Sequence, residues 1–524
     1  MRLTNIWLTF FTGVILLSGC GGGGGSGTSD TTNLAPFANA GLDRSVMVNE
    51  TITITGSGSD SDGTIVNYQW KEGSLILANT AEFNYTPTTV GTHTLTFTVT
   101  DNDGATDSDQ MNVNVTEAKK LPLVIIRVEF DNYQFSSSAS VWSQKIFGSN
   151  EGQVNHYYNE ISYGKFQFQM ANEIDGSADG VITVHLDENH PDDLEEKIDR
   201  LVTAAILADS SIDFSEYDTN KNGSISSDEL QIMFLIAGGE LATGAHPGIW
   251  AHSWCMFGSN ASAPTLDGVR LMNCNNNGTY SAFGEKHFDA SNGNEATIGI
   301  IAHELGHAVF DLPDLYDTEY NSAGIGNFGL MGGGSWAKKD EDSYYGQTPV
   351  HMTGWTKVRC NFTSATKLEN DIMDIEVKAT SSNDYSLYQI PTGRDGEYFL
   401  IENRDASGYD RGLDSLQGTG SYKGGLSILH IDDNLLNDCL SKNNCNDNPD
   451  HKLVDVEEAN NILRLDTDSS YEGHNDNLFF AEKVDSFTPD TDPNSDTYAN
   501  GSSGVSVTNI STAGATMTLD VEIN

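Results

Sequence analysis

The chain has 524 residues, room for about three domains, and sets 27 Lys and Arg against 75 Asp and Glu for a formal charge of −48. So acidic a surface repels phosphate backbones and argues against nucleic acid as a partner. It suits solubility and cation binding but fixes no fold.

Arg2, an apolar run from Ile6 to Leu17 and then Leu17-Ser18-Gly19-Cys20 read as a bacterial secretory signal over residues 1–19 that ends in a lipobox. Cys20 is then the lipidated first residue of the mature chain, and Gly/Ser-rich residues 20–32 form a flexible tether. The apolar run is short for a membrane span, and no other run approaches the required length. The expectation is an exported protein, extracellular or held as an outer-membrane lipoprotein of a Gram-negative bacterium, with Cys20 as its membrane contact. Export permits disulfides, and proximity in sequence pairs Cys255 with Cys274 and Cys439 with Cys445, leaving Cys360 free.

Residues 33–118 alternate short β-rich runs, such as Thr51-Ile52-Thr53-Ile54-Thr55, with Gly, Asp and Ser turns, the pattern of a small β-sandwich. Pro36-Phe37-Ala38-Asn39-Ala40-Gly41, Gly56-Ser57-Gly58-Ser59-Asp60, Tyr68-Gln69-Trp70 and Val99-Thr100-Asp101 together resemble a PKD (polycystic kidney disease) domain. That resemblance implies a spacer or a substrate-binding module. No exposed aromatic row is evident, so a spacer is the simpler expectation.

A second, α+β domain is expected over residues 119–365. Val124-Ile125-Ile126-Arg127-Val128-Glu129-Phe130 reads as a buried strand, and a helix over 192–208 places Leu194, Ile198, Leu201 and Val202 on one face. Between them and the motif below, Asp218-Thr219-Asn220-Lys221-Asn222-Gly223-Ser224-Ile225-Ser226-Ser227-Asp228-Glu229 has the spacing of a calcium loop. Asp218, Asn220, Asn222, Ser224 and Glu229 are the expected ligand positions, Gly223 allows the sharp turn and Ile225 is the apolar residue that follows. No second such loop is visible, so this Ca2+ has a structural rather than a regulatory role.

The chemistry lies in Ala302-His303-Glu304-Leu305-Gly306-His307, at the end of an apolar stretch suited to a buried helix over about 296–310, with Pro313 beyond it as a stop. Residues four apart stack on one helix face, so His303 and His307 offer two imidazoles to one zinc ion while Glu304 reaches a water beside it. A catalytic zinc takes a third protein ligand and keeps one open position. Asp314 and Asp317 follow the helix directly and are both candidates for it. Glu319 and Glu341 would need a second helix, which the loop sequence Asn321-Ser322-Ala323-Gly324-Ile325-Gly326-Asn327 does not supply. His252 is read as structural.

Gly329-Leu330-Met331-Gly332-Gly333-Gly334-Ser335-Trp336 resembles the Met-turn that underlies the metal in metzincins, with Met331 as its floor. Added to Tyr163-Gly164-Lys165-Phe166, Ile249-Trp250-Ala251-His252-Ser253-Trp254, Pro349-Val350-His351-Met352-Thr353-Gly354-Trp355 and Glu397-Tyr398-Phe399-Leu400-Ile401-Glu402-Asn403, it makes the chain from about residue 121 resemble the M6 (immune inhibitor A) family of metallopeptidases. The resemblance implies a metzincin-like zinc endopeptidase that cleaves protein or peptide substrates, with Glu304 as general base and Asp314 as the third ligand, Asp317 being the alternative. The sequence departs from the family at Asp311, where Gly often precedes Leu-Pro-Asp, and it carries one residue more than the shortest HExxHxxGxxD form. Residues 366–524, with strand-like runs at 398–401, 426–431 and 517–521, are expected to form a β-rich C-terminal domain, its Asp-rich stretch at 485–492 being solvated turns. The rival reading is a non-catalytic surface adhesion or binding lipoprotein on a protease-like scaffold, against which the intact Glu304 speaks.

Overall fold

Period-two alternation folds the first unit as a β-sandwich. The computed structural model describes residues 33–194, 199–256, 263–416, 422–499 and 501–524, divided into two compact units between Thr116 and Glu117. The expected signal, the tether and Cys20 lie outside the described residues, as does Ile198. In the first unit a five-stranded sheet runs in the order Arg44–Met47, Thr106–Thr116, Gly91–Asp101, Ile65–Glu72, Leu75–Ala78. Two further strand pairs, Phe37–Asn39 with Ser57–Ser59 and Ile52–Thr55 with Glu82–Tyr85, complete it. Leu95, Phe97, Val99, Met111, Val113 and Val115 alternate into the core around a fully buried Trp70. Gly56 is required there, since a Cβ would come 2.8 Å from both the Trp70 and the Phe97 rings.

The second unit is built on a sheet whose main path is Phe166–Met170, Lys119–Phe130, Gln231–Glu240, Tyr280–His287, His252–Trp254. All neighbours are parallel except the edge strand His252–Trp254, and Val181–Leu186 extends the pairing of Lys119–Phe130. Near-continuous apolar strands of this kind need cover on both faces. Leu121, Leu123, Ile125, Met233, Leu235 and Phe283 pack on one side, against the motif helix Ile298–Phe310 and the helices Ala139–Phe147 and Val154–Ile161. Val124, Ile126, Val128, Ile232, Phe234 and Ile236 pack on the other, against Leu201, Ala204, Ala205 and Ala208 of the helix Asp199–Ala208. That helix is thus seen from Asp199, with Leu194 buried ahead of it and Val202 only half-buried.

The C-terminal part adds a five-stranded sheet in the order Thr366–Lys367, Tyr388–Pro391, Glu397–Arg404, Gly425–Asp432, Val454–Val456, and a three-stranded one of Ile372–Lys378, Thr516–Ile523 and Val505–Thr508. Leu400, Leu429 and Ile431 belong to the same core as Leu305 and Leu330, whereas Phe399, Ile401 and Ile428 join Phe487 and Val521 in a core of their own. Position 365 therefore marks a change of sheet without a break in the core. Both disulfides expected from sequence proximity are formed, and Cys360 is free. Among the described residues no helix is long and apolar enough to cross a membrane.

Candidate active site and metal centre

The helix Ile298–Phe310 is apolar almost all round and is buried almost all round, as such a sequence must be. Its second residue, Gly299, lies against the turn Gly333–Trp336 and donates its N–H to Gly346 O at 2.9 Å. Tyr158 anchors the middle by donating its hydroxyl to Ala302 O at 2.7 Å. The helix ends at Asp311, which takes the left-handed conformation (φ 51°) that glycine adopts more easily. Arg359 supports this residue, donating to its carbonyl and, at 3.1 Å, to its carboxylate.

One turn apart, His303 and His307 point their Nε2 atoms at each other, 3.1 Å apart. Asp314 Oδ1 lies 3.0 Å from the first and 3.2 Å from the second. Tetrahedral zinc with bonds of 2.0–2.1 Å spaces its ligand atoms by about 3.3 Å, so the triangle is of the size that one such ion needs. The tautomers agree. His303 Nδ1 donates to Leu330 O at 2.9 Å and His307 Nδ1 to Leu312 O at 2.6 Å, which leaves both Nε2 lone pairs facing the centre. Asp314 Oδ1 is buried and accepts no aligned hydrogen bond. Burial alone would push the His307 imidazolium down, but the adjacent Asp314 carboxylate outweighs it and lifts the group to about 9. With both imidazoles neutral, a divalent cation in that place would satisfy all three donors.

Asp317 is not at this centre. It accepts hydrogen bonds from the backbone N–H groups of Glu319 at 2.8 Å, Asn321 at 3.0 Å and Ser322 at 2.8 Å, and so ties the loop that follows. Glu304 is buried and lines the same cleft of about 1060 Å3 as His303, His307 and Asp314. Tyr316 stacks on the His303 ring with centroids 6.3 Å apart; burial first, then the Asp314 carboxylate, hold its phenol well above the usual tyrosine range. Met331 lies directly under the motif, its sulfur 2.8 Å from where a Cβ on Gly306 would stand. Behind the site Glu240 accepts from Ala251 N at 2.8 Å, and burial raises its carboxyl to about 8 against the pull of that bond. His252 Nδ1 donates to Trp250 O and its Nε2 pairs with the Tyr280 hydroxyl on the neighbouring strand, so it takes no part in the triangle.

Sequence reasoning missed Asn443, which hydrogen-bonds Asp314 from 129 residues away. An isolated asparagine carries no signal that would have singled it out.

The loop 218–229 lies on the other face of the sheet, between the 3-10 turn Phe214–Tyr217 and the strand Gln231–Glu240, not between two helices. Asp218 accepts from the N–H groups of Asn222 at 3.0 Å and Gly223 at 2.9 Å, while Asn220 and Asn222 side-chain oxygens accept from the N–H groups of Asn222 and Ser224. Gly223 sits at φ 78° and Ile225 is buried. Glu229 returns across the loop, accepting from Asn220 N at 3.1 Å and Ser226 N at 3.1 Å. The Ser224 hydroxyl donates to Arg270 O at 3.2 Å.

Comparison with known families places two matches on this framework. Residues 40–115 match a PKD domain and residues 126–362 match the immune inhibitor A peptidase M6 catalytic domain. The pre-pro-metalloprotease PrtV of Vibrio cholerae serotype O1, in two strains, is 31% identical over 160 residues, covering 29% of this chain and 16% of the relative. The matched stretch therefore spans about a sixth of the length of those relatives. Among solved structures, the PKD1 domain of the V. cholerae metalloprotease PrtV is 33% identical over 16% of this chain and 98% of that one, with a TM-score of 0.14. The PKD1 domain of Vibrio anguillarum Epp is 29% identical over 16% and 95%, also at 0.14.

Proposed function

From a chain that carries an M6-family metallopeptidase domain behind a PKD domain, we propose a zinc-dependent endopeptidase of metzincin-like build, acting on proteins or peptides outside the cytoplasm. The observation that carries this is the triangle of His303 Nε2, His307 Nε2 and Asp314 Oδ1, with sides of 3.0–3.2 Å and both histidine tautomers set by backbone carbonyls. When bound there, zinc supplies a Lewis acid that polarises the scissile carbonyl and makes water acidic near neutral pH. Glu304, next to His303 and opening on the same cleft, takes the proton of the attacking water and hands it to the leaving amine. Met331 does not touch the metal; it is buried and fills the space beneath Gly306 as a packed floor. Asp314 is the third ligand, and Asp317 is the residue that shapes its loop.

The loop 218–229 is assigned a structural Ca2+, held by Asp218, Asn220, Asn222, the Ser224 carbonyl and Glu229. The PKD-like unit is assigned a spacer role, and Cys20 the membrane anchor of an exported lipoprotein; the two disulfides suit an oxidising compartment.

The test uses purified protein supplied with zinc and calcium. Casein, gelatin or a broad peptide library is cut, and Glu304→Gln loses roughly two to four orders of magnitude in rate while keeping one zinc per chain. An uncut library with zinc bound would favour the non-catalytic reading, and full activity in the Gln variant would remove Glu304 as the base.

A further inference from the structure

Cys439 and Cys445 close a loop of the C-terminal part, and at its turn Asn443 adopts φ 52°. From there the Asn443 amide makes two bonds to one residue: Oδ1 accepts from Asp314 N at 2.8 Å and Nδ2 donates to Asp314 Oδ2 at 2.5 Å. The pair divides the carboxylate, since Oδ2 is taken by Asn443 while Oδ1 is left to face the two histidines. The same segment runs on beside the ligand loop. Asn446, fully buried, donates to Leu315 O at 2.9 Å, and Asp447 accepts from Thr318 N at 2.7 Å and from its hydroxyl at 2.8 Å. Three side chains of one short segment thus hold residues 314, 315 and 318, and none of them is contributed by the 126–362 region of the family match.

We propose that the disulfide-closed segment 439–447 is a clamp for the third metal ligand, with Asn443 as a positioning residue that fixes which oxygen of Asp314 meets the ion. The proposal rests on the reading of Asp314 as a zinc ligand. A carboxylate free to rotate presents either oxygen, or both, and must be ordered when the ion binds. One already held at Oδ2 and at its own backbone N–H is ordered beforehand, and partners of this kind are worth roughly 10- to 100-fold in metal affinity. Closure of the loop by Cys439–Cys445 restricts the segment in the same direction.

The experiment is a zinc titration of the full chain against a chromophoric chelator, with folding followed by near-ultraviolet circular dichroism. Asn443→Gly removes the side chain while tolerating the left-handed turn, and should weaken zinc by about 10- to 100-fold. Asn443→Asp keeps an oxygen for Asp314 N but puts a second carboxylate against Oδ2. It should weaken zinc at least as much at neutral pH, and it decides the matter if the Gly variant does not fold. Added to Asp314→Ala, Asn443→Gly should cost no more than about a further twofold, because its target is gone. If Asp314→Ala itself binds zinc like the wild type, the ligand assignment falls. If Asp314→Ala weakens binding while Asn443→Gly or Asn443→Asp binds like the wild type, the assignment stands and the clamp is overturned.

Discussion

Replacing Gly299 by alanine sets two effects against each other at the start of the motif helix. In an open helix interior the change would stabilise by up to about 1 kcal/mol, because alanine loses less backbone entropy. Here the new Cβ would stand 1.8 Å from Ser335 O, 2.9 Å from Ser335 C and 3.1 Å from Gly346 Cα. Ordinary contact begins at 3.4 Å, so helix and turn must part by about 1.6 Å, and every blocking atom is backbone. Overpacking of this kind costs about 1–3 kcal/mol, and weakening the Gly299 N–H bond to Gly346 O adds about 1 kcal/mol. Steric cost wins, with a net loss of about 2 kcal/mol or more.

Gly306→Ala, two turns along the same helix, is the internal comparison. Its Cβ meets Met331 Sδ at 2.8 Å, the outer part of a side chain with three rotatable bonds that can give way. Helix propensity then offsets most of the strain, and the net change should stay within about 1 kcal/mol. Urea unfolding of the zinc-loaded chain, followed by fluorescence to which the second unit contributes Trp142, Trp250, Trp254, Trp336 and Trp355, compares the midpoints. A wild-type midpoint for Gly299→Ala, or a larger loss for Gly306→Ala than for Gly299→Ala, would refute the close approach of helix and turn as the controlling contact.

Three further outcomes are expected. Calcium should raise the thermal midpoint of the wild type, and Asp218→Ala or Glu229→Ala should abolish that dependence; an unchanged calcium response would make 218–229 a plain turn. Glu240 has its carboxyl raised from 4.5 to about 8, so it contributes stability that is complete below pH 4.5 and is lost as pH rises through 8. Glu240→Gln cannot ionise and should decline less than the wild type between those pH values in parallel urea titrations, and parallel curves would contradict the assigned protonation. The double variant Cys439→Ser, Cys445→Ser should bind zinc more weakly than the wild type in chelator competition while its circular dichroism is retained, and equal affinity would confine the disulfide to a packing role.

The motif was legible because its chemistry is local. Two histidines and a glutamate at helical spacing, a proline beyond them and a glycine-rich methionine turn all fall within residues 303–336, where helix periodicity alone sets who faces whom. The third ligand was less so. Asp314 and Asp317 stand three apart in a loop with no period to separate them, and what separates them is that Asp317 spends its oxygens on three backbone N–H groups. The calcium-type spacing of 218–229 is equally local, but its flanks could not be read from it: a 3-10 turn and a strand stand where a helix pair would complete the usual arrangement.

The C-terminal part carries the β-rich sheets expected of residues 366–524, and its packing partners are what the sequence does not announce. Near-continuous apolar runs in Glu397–Arg404 and Gly425–Asp432 announce strands buried on both faces, yet the sequence does not say against what. Leu400, Leu429 and Ile431 turn toward Leu305 and Leu330, and Asn443 and Tyr471 reach the cleft that holds His303 and Asp314. These residues are one wall of the site. An isolated fragment 119–365 would expose that core and leave both the Asp314 N–H and Oδ2 without their partner, so the His303–His307–Asp314 centre and the C-terminal sheets stand or fall as one folding unit.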